Sequence, residues 1–77
     1  MTIIVYGPGC PRCHETARVV RNLLAELNLA ADLQEVTDYQ AMAAAGVLAT
    51  PAVSIDGVVK VSGRIPKPDE VRRWLNA

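Results

Sequence analysis

The sequence predicts an α/β fold with the element order β-α-β-α-β-β-α, a four-stranded mixed sheet and helices on both of its faces. Three observations carry that expectation. The apolar period switches repeatedly between strand-like and helical along the chain. Glycines and prolines fall at the switches, where they break one element from the next. A two-residue hairpin signal, Asp56-Gly57, lies between two short β-branched runs.

Thr2 to Tyr6 reads Thr-Ile-Ile-Val-Tyr, a continuous run that suits a strand covered on both faces. Gly7-Pro8-Gly9 breaks it. From Pro11 to about Asn28 the spacing is helical: Ala17, Val20, Leu23, Leu24 and Leu27 share one face, and Arg12, Glu15, Arg18, Asn22 and Glu26 the other. Asn28 tolerates left-handed backbone and can terminate the helix. Asp32 to Val36 is read as a second strand, although its alternation is poor. Thr37 with Gln40 three residues on matches a capping box, which predicts a short helix over Ala41 to Ala45, closed by Gly46. Pro51 opens a third strand, Ala52 to Ile55. The Asp56-Gly57 pair suits a type I′ turn, which needs positive φ at both central positions. Val58 to Val61 then returns antiparallel, and Gly63 ends it. Pro68 suits the first position of a last helix. Asp69 and Glu70 fall at its positive end and Arg72 and Arg73 toward its negative end. Val71, Trp74 and Leu75 make its buried stripe. A right-handed crossover through the first helix sets the first two strands parallel, and the hairpin supplies the antiparallel half.

The chain has 77 residues, enough for one small domain spanning residues 1–77. Trp74, Tyr6 and Tyr39 are its only aromatics, so the core must be aliphatic. Tyr6 ends the first strand and can either pack or line a site. Eight basic and eight acidic residues cancel. No basic cluster argues for nucleic acid, and no basic amphipathic stretch for a membrane surface. The long uncharged run from Tyr39 to Ile55 is interrupted by Gly46 and Pro51 and falls short of the ~20 residues of a spanning helix. The few residues before Cys10 read as a strand rather than a secretory leader. A cytoplasmic monomer is expected.

The two cysteines, Cys10 and Cys13, sit where the first strand gives way to the first helix. A bridge between them closes so short a loop that chain entropy gives it the least stabilisation, on the order of 2 kcal/mol. Structural stapling is therefore a poor reason for the spacing. The sequence Gly7-Pro8-Gly9-Cys10-Pro11-Arg12-Cys13 puts Cys10 at the helix start, and Pro11 is tolerated there because the first helical N–H has no intrahelical partner. The partial positive charge and free N–H groups of a helix N-terminus favour thiolate over thiol. The Cys10 pKa is thus expected to fall from about 8.5 into the range of roughly 3.5 to 7.5. Arg12, and His14 when charged, are expected to push the same way. Cys13, one turn on, is expected to point inward. These positions make Cys10 the nucleophile that forms a mixed disulfide and Cys13 the resolving thiol.

With those residues placed, the chain resembles the thioredoxin superfamily, in particular its very small thioredoxin-like and glutaredoxin-like proteins of bacteria and archaea. Gly7-Pro8-Gly9-Cys10-Pro11-Arg12-Cys13 and Thr50-Pro51-Ala52 match in order, and the element order agrees from Thr2 to Leu75. The resemblance implies a minimal thioredoxin fold and a thiol–disulfide oxidoreductase, without metal or organic cofactor. It implies substrate protein disulfides or small thiols, and an upstream reductase that the sequence does not identify. It also implies a cis Thr50–Pro51 bond packed beside the cysteine pair, with the Thr50 backbone pairing to an extended substrate. Pro11, Arg12, Thr50 and Pro51 are thereby candidate site-shaping residues. The sequence departs from the usual Cys-Gly-Pro-Cys, lacks the preceding Trp, and carries Arg12 where glutaredoxins often have Tyr. Ser62-Gly63-Arg64 does not match the glutathione-binding Gly-Gly and Asp pair, so no glutathione site carries over.

Other readings of the same residues stay open. Cys10-x-x-Cys13-His14 also fits c-type haem attachment, with Met1 and Met42 the only methionines available as a second ligand. Two thiolates suit Cu(I), and small metallochaperones also place Cys-x-x-Cys between a first strand and a first helix. Their order, β-α-β-β-α-β, ends in a strand, whereas this chain is expected to end in a helix. A redox-sensing binding module is a further alternative. Pro51 could also be a trans proline that simply opens a strand, and Arg12 a solvated helix residue.

Overall fold

A computed structural model describes residues 1–76. Its elements run β1 (Thr2–Tyr6), α1 (Pro11–Glu26), β2 (Asp32–Val36), α2 (Tyr39–Ala44), β3 (Ala52–Ile55), β4 (Val58–Ser62) and α3 (Pro68–Asn76). The expected element order is thus observed. The strands form one sheet in the order β2-β1-β3-β4. β1 pairs parallel with β2 and antiparallel with β3, and β3 pairs antiparallel with β4.

Strand alternation separates two apolar layers. Ile3 and Val5 of β1, with Val53 and Ile55 of β3, face Ala17, Val20, Leu23 and Leu24 of α1 and Val71 and Leu75 of α3. Tyr6 and Ala52 face the other way and pack with Met42 of α2 and Val47. Helices therefore cover both faces, and Tyr6 is a packing residue. Each central strand contributes to both layers, which is why Thr2 to Tyr6 shows no polar alternation. The edge strand β2 is largely exposed, and its weak alternation follows from that position. Trp74 is only partly buried, a large ring packed against the rim of the first layer rather than inside it.

Several boundaries differ from expectation. The first helix ends at Glu26, and Leu27 caps it. Asn28 takes the left-handed conformation, with φ 54°. The second helix is capped by Asp38, not Thr37, and spans Tyr39–Ala44 rather than Ala41 to Ala45. The Asp38 carboxylate accepts from the Gln40 N–H at 3.1 Å, so it already fills the role assigned to the threonine. In the hairpin Asp56 and Gly57 both have positive φ, 50° and 86°, as a type I′ turn demands. β4 continues to Ser62 because the register slips between Val53 and Ser54: Val53 pairs with Val61, and Ser54 with Val59. The extra residue, Lys60, lets Val61 reach the first core layer.

Candidate active site

β1 ends at Tyr6, and its chain direction delivers Gly7, Pro8 and Gly9 to the start of α1. Cys10 is the N-cap, with extended backbone (φ −73°, ψ 163°), and Pro11 is the first helical residue. The Cys10 carbonyl accepts from the N–H groups of Cys13 and His14 at 3.0 and 3.1 Å. Its sulfur accepts from the Cys13 N–H at 3.4 Å. A cysteine sulfur thus serves in place of the usual Ser, Thr or Asp cap, sharing the Cys13 N–H with the Cys10 carbonyl.

The two sulfurs lie 2.6 Å apart, and both cysteines are free thiols. Cys10 is half-buried and Cys13 is buried. The Cys10 pKa is lowered, first by the hydrogen bond from the Cys13 side chain and then by the backbone N–H of Cys13, with smaller help from the N–H groups of Arg12 and of Cys10 itself. The Cys13 pKa is raised, first by burial and then by the hydrogen bond it gives to Cys10. The outer thiol is therefore the more acidic of the two.

Arg12 does not act as expected from its charge. Its guanidinium turns from the sulfurs to donate to the Gly63 carbonyl at 3.3 Å, so its help to the Cys10 thiolate comes through its backbone N–H. His14 is exposed on the outer side of α1. Thr16, one turn below Cys13, is fully buried, and its hydroxyl donates a hydrogen bond to the Arg12 carbonyl at 2.9 Å.

Thr50 and Pro51, far along the chain, connect to the helix start through Gly63. Ala52 pairs with Tyr6. The strand pairing ends there, with Pro51 directly before β3 and Gly7 directly after β1. The Thr50–Pro51 bond is cis, Pro51 is fully buried and Thr50 is half-buried. The Pro51 carbonyl accepts from the Gly63 N–H at 2.9 Å. Gly63 thus holds both Pro51, through its N–H, and Arg12, through its carbonyl.

Two glycines have parts that the sequence reading assigned only to chain breaks. A Cβ at Gly7 would overlap the Cys13 sulfur and stand 2.7 Å from the Cys13 Cβ. Gly7 also donates to the Val36 carbonyl at 2.9 Å, extending the β1–β2 ladder beneath the cysteines. Gly63 has φ 85°, and a Cβ there would stand 3.2 Å from Ala49. No sequence signal marks these contacts, because their partners lie in other elements.

Among the described residues, no group of three His, Cys, Asp or Glu side chains comes together to hold a metal ion. Among the described residues, no helix is long and apolar enough to cross a membrane. The chain closes on α3, an order different from the metallochaperone pattern.

A four-stranded mixed sheet, with a Cys-x-x-Cys pair at the start of its first helix and a proline-bearing loop bonded to that helix start through Gly63, defines a small dithiol protein of thioredoxin architecture. The family model for the thioredoxin domain matches residues 1–76. A thioredoxin of Methanocaldococcus jannaschii is 34% identical over 77 residues, which cover all of this chain and 88% of that protein. A thioredoxin of Methanothermobacter thermautotrophicus is 29% identical over 76 residues, covering 99% of each. The chain belongs to the thioredoxin-domain family, and in class it is a disulfide oxidoreductase.

Proposed function

We propose that the chain reduces disulfides of proteins or small thiols by exchange through Cys10 and Cys13. The observation that carries this reading is the asymmetry of the pair: an accessible, helix-capping sulfur whose pKa is lowered, over a buried sulfur whose pKa is raised. The Cys10 thiolate attacks one sulfur of the substrate disulfide. A new S–S bond forms, the substrate bond breaks, and the departing sulfur takes up a proton. Cys13 then gives up its proton and attacks the Cys10 sulfur. The second substrate thiol leaves, and Cys10 and Cys13 become joined. The pair has lost two electrons and the substrate has gained them.

The other residues arrange this exchange. Pro11 starts the helix without an N–H to be orphaned. Gly63 couples Arg12 to the Pro51 segment, which keeps the helix start and the Thr50–Pro51 loop in one arrangement. Thr50 offers backbone to an extended substrate segment lying across the pair. An upstream dithiol reductant must restore Cys10 and Cys13 after each turnover, which fits a reducing, cytoplasmic setting.

An equilibrium redox titration in dithiothreitol buffers, read by thiol trapping, tests the reading. A single two-electron transition is expected. A midpoint near roughly −270 mV marks a reductant and one near roughly −120 mV an oxidant. Failure to form an intramolecular disulfide at any potential overturns the reading and directs attention to Cu(I) binding by the two thiolates.

A further inference from the structure

The balanced net charge of the chain conceals an uneven distribution. Glu15, Glu35, Glu26, Asp69 and Glu70 pair with Arg18, Arg21, Arg72 and Arg64. Among the described residues, Arg12, Lys60, Lys67 and Arg73 have no such carboxylate. Three of these four gather along one path. Arg12 stands at the rim of the cysteine pair with its guanidinium on the Gly63 carbonyl. From Gly63 the chain leads to Arg64 and Lys67, which with Glu70 and Arg73 line an open depression of about 460 Å³.

Among the described residues, the one carboxylate lining that depression is already engaged. Glu70 accepts two bonds from Arg64, each 2.6 Å, and a third from the Lys67 N–H at 3.0 Å. Its pKa is held at about 2, so it stays charged and its bonding capacity is used inward. Three cations against one carboxylate leave the depression positive. The carboxylates without an ion pair lie elsewhere. Asp56 is in the hairpin turn, bonded to the Thr2 N–H at the opposite end of the sheet, and Asp32 pairs with Thr2 at that same end. Asp38 caps α2, on the other face.

We propose that this ledge, from Arg12 along residues 63–67 to Arg73, docks an acidic segment beside the substrate disulfide. The inference rests on the dithiol reading above and narrows its substrate class to protein disulfides flanked on one side by Asp or Glu. A substrate strand laid across the Thr50–Pro51 loop continues over the Gly63 segment, because Gly63 is bonded to Pro51. Its flanking carboxylates then meet Arg64, Lys67 and Arg73. Such exposed charge raises the rate of encounter and is weakened by salt.

The test uses three peptides with the same disulfide, flanked by Asp/Glu, by Ser/Gly or by Lys, reduced by the full chain recharged with dithiothreitol. At about 10 mM salt the acidic peptide is expected to react about tenfold faster than the neutral one, a ratio that falls below about twofold near 0.5 M. In the double variant Lys67→Gln, Arg73→Gln, the acidic-peptide rate is expected to fall about fivefold and the neutral-peptide rate to hold. Equal wild-type rates on all three peptides at low salt overturn the ledge. So does an equal loss on the neutral peptide in the variant. A chain that reduces none of the three fails the dithiol reading itself, and the ledge falls with it.

Discussion

Gly7→Ala is the sharpest probe of how the fold holds the cysteine pair. Gly7 is not among the glycines with positive φ, so its backbone accepts an L-residue and any penalty is steric. The added Cβ would lie 2.7 Å from the Cys13 Cβ. Ordinary carbon contact is about 3.5–4.0 Å, so the helix start must retreat by about 1 Å or the sulfur must leave its place. Both partners are constrained: Gly7 is bonded to Val36, and Cys13 is buried in the first turn of α1. Overpacking of this kind costs about 1–3 kcal/mol. The loss of unfolded-chain freedom on replacing glycine offsets about 0.4–1 kcal/mol of that. The clash wins, leaving a net loss of about 1 kcal/mol. For a chain of this size that lowers Tm by roughly 4–8 °C. Thermal unfolding of the reduced protein by circular dichroism measures it. The same variant should disturb closure of the Cys10–Cys13 disulfide, read by thiol trapping. Adding Cys13→Ala removes the sulfur contact and keeps the Cβ contact, so only part of the loss should return. A Gly7→Ala protein with Tm within about 2 °C of wild type, and an unchanged redox midpoint, would refute the proposed packing of Gly7 against Cys13.

Three further perturbations address other links. Cys10 has the lowered pKa and Cys13 the raised one, so iodoacetamide should label Cys10 first near neutral pH, and the preference should shrink as pH rises through the Cys13 range; equal labelling near pH 7, read by mass spectrometry, would contradict the assigned roles. Glu70 has a folded pKa of about 2, below its unfolded value near 4.3, so its contribution to stability is present above the unfolded value and is lost as pH falls toward 2. Glu70→Gln should therefore lower the urea midpoint at pH 7 more than at pH 2, and an equal loss at both would show that Glu70 acts by packing instead. The Ser54 hydroxyl is buried without a partner among the described residues, so Ser54→Ala should leave stability unchanged or raise it by about 1 kcal/mol, and a clear fall in the urea midpoint would show that the hydroxyl is satisfied.

The local parts of this protein were legible because their causes are local. A β-branched run, the Asp56-Gly57 pair, and a proline directly after Cys10 each specify backbone through neighbours in sequence, and the structure has the elements there. The cysteine spacing and the helix start likewise placed two sulfurs on one side of one turn. Where two local devices competed, as with Thr37 and Asp38, only the folded backbone chose, through the bond from Gln40 N–H. The arrangement around the sulfurs is a different matter. Gly7 against Cys13, and Gly63 holding both Pro51 and Arg12, join four elements. The resemblance pointed to Pro51, but neither glycine had a signal of its own, because a missing Cβ matters only once another element packs against it. Arg12 shows the same limit: its charge was visible in the sequence, but its direction was set by the carbonyl of Gly63, 51 residues away. The sequence by itself determined the element order, the helix-capping pair and the chemistry those two residues bring. Tertiary structure decided what packs against the inner sulfur, where the arginine points and on which side charge collects, because these depend on contacts between segments that only folding brings together.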